Sequence, residues 1–131
     1  MKPKEYNHNY SNYIGGEWRS AESSSLKTIR SINPAAKNIL ISTVPDSGKH
    51  EIDEAVGCAM EAKSNWAALS MGARASLLEA LANAADSRLD ELGSLVTDSM
   101  GKIIAEGKGD IVFANLSLRY FAAQAREQRH A

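Results

Sequence analysis

From Asp46 to Arg129 the chain offers one helical stretch after another, and this run limits the possible folds more than any other feature. Its first member carries Ile52, Ala55, Val56, Ala59 and Met60 at i, i+3, i+4, i+7 and i+8, which is one face of a helix. Trp66 continues that face, and the pattern stops near Leu69. Ser47 stands where an N-cap is wanted, with Glu51, Asp53 and Glu54 near the positive end of the dipole. Ser70 caps a second helix bearing Arg74, Leu77, Leu78, Leu81 and Ala85. Ser87, with Asp90 three residues on, caps a third with Leu89, Leu92, Leu95, Val96 and Met100 as its apolar set. Gly101 follows as the C′ glycine.

The last helix is two-sided. Ile111, Ala114, Leu118, Phe121 and Ala125 form one stripe, and Phe113, Leu116 and Tyr120 form another. A helix apolar on two sides is normally sandwiched between layers. The rest of a 131-residue chain offers too little to cover both, so this helix is expected to meet a surface from outside the chain. Gly107 and Gly109 each cost about 1 kcal/mol inside a helix, which leaves its start at either Ile103 or Asp110.

Ahead of the helices, Met1 to Asn12 is polar and expected to be loose. Tyr13-Ile14-Gly15-Gly16-Glu17-Trp18 reads as a tight hairpin, its Gly-Gly pair supplying the positive φ angles of a two-residue turn. A second hairpin pairs Lys27–Ile32 with Ile39–Val44 around Asn33-Pro34-Ala35, and Pro45 ends its second strand for want of an N–H. The expectation is an α/β chain (α+β within this segment), with two hairpins and then about four helices. It divides as 1–12, a flexible start, and 13–131, a partial domain.

Charge narrows the function classes. Fifteen basic against sixteen acidic residues leave no basic stripe for nucleic acid or an anionic membrane. No apolar run approaches the roughly 18 residues of a membrane span, and Met1–Tyr13 has no signal-peptide core. The single cysteine cannot form an internal disulfide, which suits the cytoplasm. Cys58 itself lies mid-helix with no activating histidine nearby in sequence, and reads as a small core residue. His8, His50 and His130 are scattered and give no metal-ligand spacing. Gly107-Lys108-Gly109 follows no strand and matches neither glycine fingerprint for phosphate. Taken alone, these residues assign no reaction: no catalytic and no cofactor-binding residue is expected.

The order of the pieces nevertheless resembles the opening segment of the NAD(P)-dependent aldehyde dehydrogenase superfamily. Tyr13 to Trp18 is similar to the family's first hairpin, and Ser31-Ile32-Asn33-Pro34-Ala35 to its Thr-Ile/Val-Asn-Pro-Ala turn, with Val44-Pro45 at the next strand end. Glu51 to Val56 with Trp66, then Arg74 and Leu77–Leu81, resembles its first helices. Met100-Gly101-Lys102, Glu106 to Asp110 and Arg119-Tyr120-Phe121-Ala122 resemble its Gly-Lys and Arg-Tyr-Phe signposts, in the manner of semialdehyde dehydrogenases.

The resemblance implies a parent enzyme that oxidises an aldehyde to an acid through a cysteine thiolate, with hydride passing to NAD or NADP. The family's cysteine loop, Glu-Leu-Gly-Gly-Lys segment, Pro-Trp-Asn stretch and cofactor glycine turn are not in this sequence. Cys58 sits on a different motif. The expectation is therefore a truncated N-terminal segment, inactive and cofactor-free alone, prone to self-association, with the remainder of the dehydrogenase or a homologous subunit as partner. The alternative is a small non-catalytic binding module that pairs with a full-length homologue. The resemblance further implies a structural monovalent cation held by carbonyls at Ser31 and Ile32 and by the Asp110 carboxylate. The plainer reading of Asp110 is an acidic residue favoured by the helix dipole.

Overall fold

A computed structural model of the chain describes residues 8–19 and 27–127. These fall in two compact units, Met1–Asn65 and Trp66–Ala131, which divide near the end of the first helix.

In the first unit, β2 (Asn12–Ile14) and β3 (Glu17–Arg19) form the expected tight hairpin. Gly15 and Gly16 take φ of 64° and 87°, values that a side chain would strain. The register sets Tyr13 opposite Trp18, with ring centroids 5.1 Å apart. The second hairpin joins β4 (Thr28–Ile32) to β5 (Leu40–Pro45). Asn33 makes its turn as expected: the side-chain oxygen accepts from the Ala35 and Ala36 amides at 2.9 and 3.2 Å. Pro45 is the last residue of β5, where no ladder donor is needed. Against the expectation of a loose start, β1 (His8–Asn9) pairs in parallel with β5, so the sheet order is β1-β5-β4. Residues 1–7 lie outside the described residues.

Helix α1 (Lys49–Ala68) begins one residue later than the Ser47 cap implies. Gly48 carries the first helical carbonyl, accepting from Ile52, and the Glu51 carboxylate accepts from the Gly48 amide at 2.8 Å. Ser47 is engaged instead with the Asn12 side chain. Within this unit the helix turns Glu51, Glu54 and Cys58 (i, i+3, i+7) towards the strands. Glu51 is only 4% exposed, and Glu54 is paired with Arg19. The apolar stripe of Ile52, Val56 and Met60 faces outwards, each about three-fifths exposed. The periodicity located a real face, but not the one this unit covers.

The second unit contains α2 (Met71–Asp86), α3 (Leu89–Met100) and α4 (Ile104–Glu127). Ser70 caps α2 as expected, its hydroxyl accepting from the Ala73 amide at 3.1 Å. Ser87 does not cap α3. It closes α2, its N–H donating to Asn83 and Ala85 carbonyls and its hydroxyl to the Ala84 carbonyl. Arg88 takes the α3 N-cap position without a side-chain cap bond. Gly101 ends α3 in the left-handed region at φ 69°, as expected of a C-terminal glycine.

Helix α4 is the spine of this unit. Its inward positions are Gly107, Ile111, Asn115, Leu118 and Ala122, spaced i, i+4, i+8, i+11 and i+15. Ala75, Ala82 and Ala122 are fully buried, so α2 and α4 meet over small side chains. At the α3–α4 crossing, a Cβ on Gly107 would lie 2.5 Å from the Gly93 carbonyl oxygen and collide with the Thr97 hydroxyl. Both glycines belong to the helices, and Gly107 permits the close approach. The outward positions Phe113, Leu116 and Tyr120 are 73%, 60% and 60% exposed. Phe121, read as part of the other stripe, is exposed as well.

Candidate functional site

Cys58 shows what the first unit can and cannot do chemically. It is half-buried in mid-helix against the hairpin turn, where a Cβ on Gly15 would meet its sulfur at 3.2 Å. No hydrogen bond links it to a base among the described residues. A nucleophilic cysteine needs such a base or an electropositive setting that lowers its pKa. A cleft of the same unit, lined by Asn12, Tyr13, Ile14, Ser47, Glu51, Ile52 and Ala55 and not by Cys58, holds about 220 Å³. That is below the roughly 300–1,000 Å³ of small-molecule sites, and far too little for a dinucleotide.

The ionisable groups of the second unit join helices. Arg126 donates to Glu79 at 2.6 Å and to the Ser76 hydroxyl at 3.1 Å, tying the end of α4 to α2. Arg119 reaches Asp86 at 2.6 Å and Asn83 at 2.8 Å, and the buried Asn115 amide donates to the other Asp86 oxygen at 2.5 Å. Lys108 pairs with Asp90 across the α3–α4 crossing. Hydrogen bonds from Arg126 hold the Glu79 carboxyl below its ordinary range. Arg119, then Asn115, does the same for Asp86, and Lys108 for Asp90. Each of these three acids is matched to a cation on another helix, the pattern of a structural clasp. Arg74 differs: its Nε is buried without a partner among the described residues, while a terminal nitrogen lies 2.8 Å from the Met71 sulfur.

Ser31 and Ile32 lie on β4 in the first unit, and Ile32 follows a register shift against β5. Asp110 lies in the second turn of α4 in the second unit, where the Lys102 ammonium is bound to its carboxylate. Among the described residues, no three His, Cys, Asp or Glu side chains gather as metal ligands. No described helix is long and apolar enough to cross a membrane. The clasp formed by Asp86, Asn115 and Arg119 escaped the sequence reading. Its only signal is the i, i+4 spacing of Asn115 and Arg119 on one face, which does not name a partner.

Comparison with known proteins supplies what the geometry does not. The family model described as "Aldehyde dehydrogenase family" matches residues 18–131. The alpha-ketoglutaric semialdehyde dehydrogenase of Bacillus subtilis (strain 168) is 33% identical over 115 residues, 88% of this chain and 23% of that protein. The malonate-semialdehyde dehydrogenase of Bacillus pumilus (strain SAFR-032) is 39% identical over 100 residues, 76% of this chain and 20% of that protein. The crystal structure of the NAD-dependent aldehyde dehydrogenase from Sinorhizobium meliloti superposes with a TM-score of 0.86 at 26% identity, covering 95% of this chain and 25% of that one. The chain thus spans about a quarter of the length of these relatives. Its hairpins and helices, and the matched sequence that runs through them, place the chain in the aldehyde dehydrogenase family.

Proposed function

We propose that this chain is the opening structural segment of an NAD(P)-dependent semialdehyde dehydrogenase, and that the reaction is carried by protein beyond it. In the whole enzyme an aldehyde and water become a carboxylic acid as hydride passes to NAD or NADP. One observation carries the reading: a chain matching only 20–25% of its relatives leaves large apolar side chains uncovered. Phe113, Leu116 and Tyr120 on α4, and Ile52, Val56 and Met60 on α1, are the faces a larger fold would bury. The remainder of a dehydrogenase, or a homologous subunit, is the proposed occupant, and the cytoplasm the proposed setting.

Two measurements test the reading. The purified chain, given succinate semialdehyde with NAD or NADP, is expected to form no reduced nicotinamide; turnover would overturn the proposal. In sedimentation velocity the chain is expected to self-associate with rising concentration, and Phe113→Ser with Leu116→Ser to relieve it. A monodisperse, sharply melting monomer would favour a non-catalytic module that pairs with a full-length homologue.

A further inference from the structure

We infer that α4 carries a self-complementary seam, through which two copies of this chain pair as antiparallel helices. It rests on the reading that this face lies open in the chain by itself, and it names what then covers the face. The seam is the outward side of α4: Ala105, Gly109, Val112, Phe113, Leu116 and Tyr120, spaced i, i+4, i+7, i+8, i+11 and i+15. All six are exposed, and they lie across the helix from Gly107, Asn115 and Ala122, which are buried.

Side-chain size is divided unevenly along this seam. Its first half offers only Ala105 and Gly109, and nothing stands within 4 Å of where a Gly109 Cβ would be, so a shallow trough opens there. Its second half offers Leu116 and Tyr120 as exposed knobs. Turning a second α4 end for end, about a two-fold axis between Val112 and Phe113, sets Leu116 opposite Gly109 and Tyr120 opposite Ala105. The same two matches recur on the other side of the axis. A large residue over a small one lets two helices approach and fills the space between them. A parallel pair would instead set Tyr120 on Tyr120 and leave the troughs facing each other, empty. None of the six side chains is charged, so pairing buries no ion. One patch used by both copies makes an isologous contact, which closes at a dimer. From Ala105 to Tyr120 the seam is about 22 Å long, a small interface, so the dimer forms reversibly as concentration rises.

The test is sedimentation velocity of the full chain beside Gly109→Leu. Wild type is expected to pass from monomer to dimer, and no further, as concentration rises. Gly109→Leu should keep the wild-type far-UV circular dichroism, since nothing crowds that position. By filling the trough it should nevertheless weaken dimerisation by about 10-fold or more. Association through apolar surface in general would respond the other way, because the substitution adds a leucine to that surface. Gly109→Leu that associates as strongly as wild type, or more so, would overturn the inference. Orientation is read in a Cys58→Ser chain by cross-linking with oxidised glutathione. Val112→Cys, beside the two-fold axis, is expected to join its own copy, whereas Ala105→Cys, about 22 Å from its counterpart, is not. Ala105→Cys that couples as fast as Val112→Cys would overturn the inference, as would a wild type that stays monomeric or grows past the dimer. If Gly109→Leu does not fold, the two cysteine chains decide alone. A chain that associates without this register leaves the proposed function standing; that function falls with NAD- or NADP-dependent turnover, about which the seam makes no prediction.

Discussion

Replacing Gly107 by alanine adds one methyl group at the closest approach of α3 and α4, while the same change at Gly109 adds it in open space. Both glycines lie inside α4, so both replacements gain the same intrinsic helix propensity, about 1 kcal/mol. At Gly109 nothing lies within 4 Å of the added carbon, and the gain is kept. At Gly107 the carbon falls 2.5 Å from the Gly93 carbonyl oxygen, 3.1 Å from the Thr97 amide nitrogen, and onto the Thr97 hydroxyl. The hydroxyl can rotate away, but the carbonyl and amide belong to α3 and yield only if the helix shifts. Overpacking of this kind costs about 1–3 kcal/mol, so Gly107→Ala is expected to lie between neutral and roughly 2 kcal/mol destabilised. The two variants should therefore differ by about 1–3 kcal/mol, or at least ~4 °C in melting temperature for a unit of this size. Urea and thermal melts followed by far-UV circular dichroism measure both. A Gly107→Ala chain as stable as Gly109→Ala would refute the close crossing and the placement of α4 against α3.

Acid should loosen the helical unit ahead of any change in its apolar contacts. Glu79, Asp86 and Asp90 have pKa values lowered in the folded state, so their contribution is complete above the ordinary carboxylate range and is lost as pH falls through the lowered values. Urea midpoints taken from pH 7 down to pH ~3 should fall on the acid side, and less so in an Asp86→Asn chain; a flat profile would contradict the clasp. Ser70→Ala removes the hydroxyl that accepts from the Ala73 amide and should cost about 0.5–2 kcal/mol, whereas Ser87→Ala, which leaves the α3 start untouched, should cost less.

What the sequence disclosed follows from how local each signal is. Gly15-Gly16, Asn33, Ser70 and Gly101 each act on their own few residues of backbone, and each sits where its chemistry demands. Ser87 misled because a serine between two helices can close one as readily as open the next, and here the Ala84 carbonyl is its partner. The pairing of β1 with β5 has no local signature, since it joins residues more than thirty positions apart. Periodicity found the Ile52–Val56–Met60 stripe but not its direction: the unit offers a hairpin with Arg19 and a glycine turn, which suit Glu54 and Cys58 better. Gly107 looked like a cost to α4 because only the partner helix reveals the space that a side chain would fill. Family membership was legible because ordered signposts survive in sequence, while the residues that would do chemistry are not among them.

The most direct test of the central claim is the mass of the native protein in its source cells. Tryptic cleavage after Arg30 and Lys37 yields a peptide, residues 31–37, by which the parent chain can be followed through a denaturing separation. The account predicts a polypeptide several times heavier than 14.1 kDa, with the dehydrogenase chemistry in the added length. A native species of 14.1 kDa would contradict it and leave the segment as a structural module without a reaction of its own.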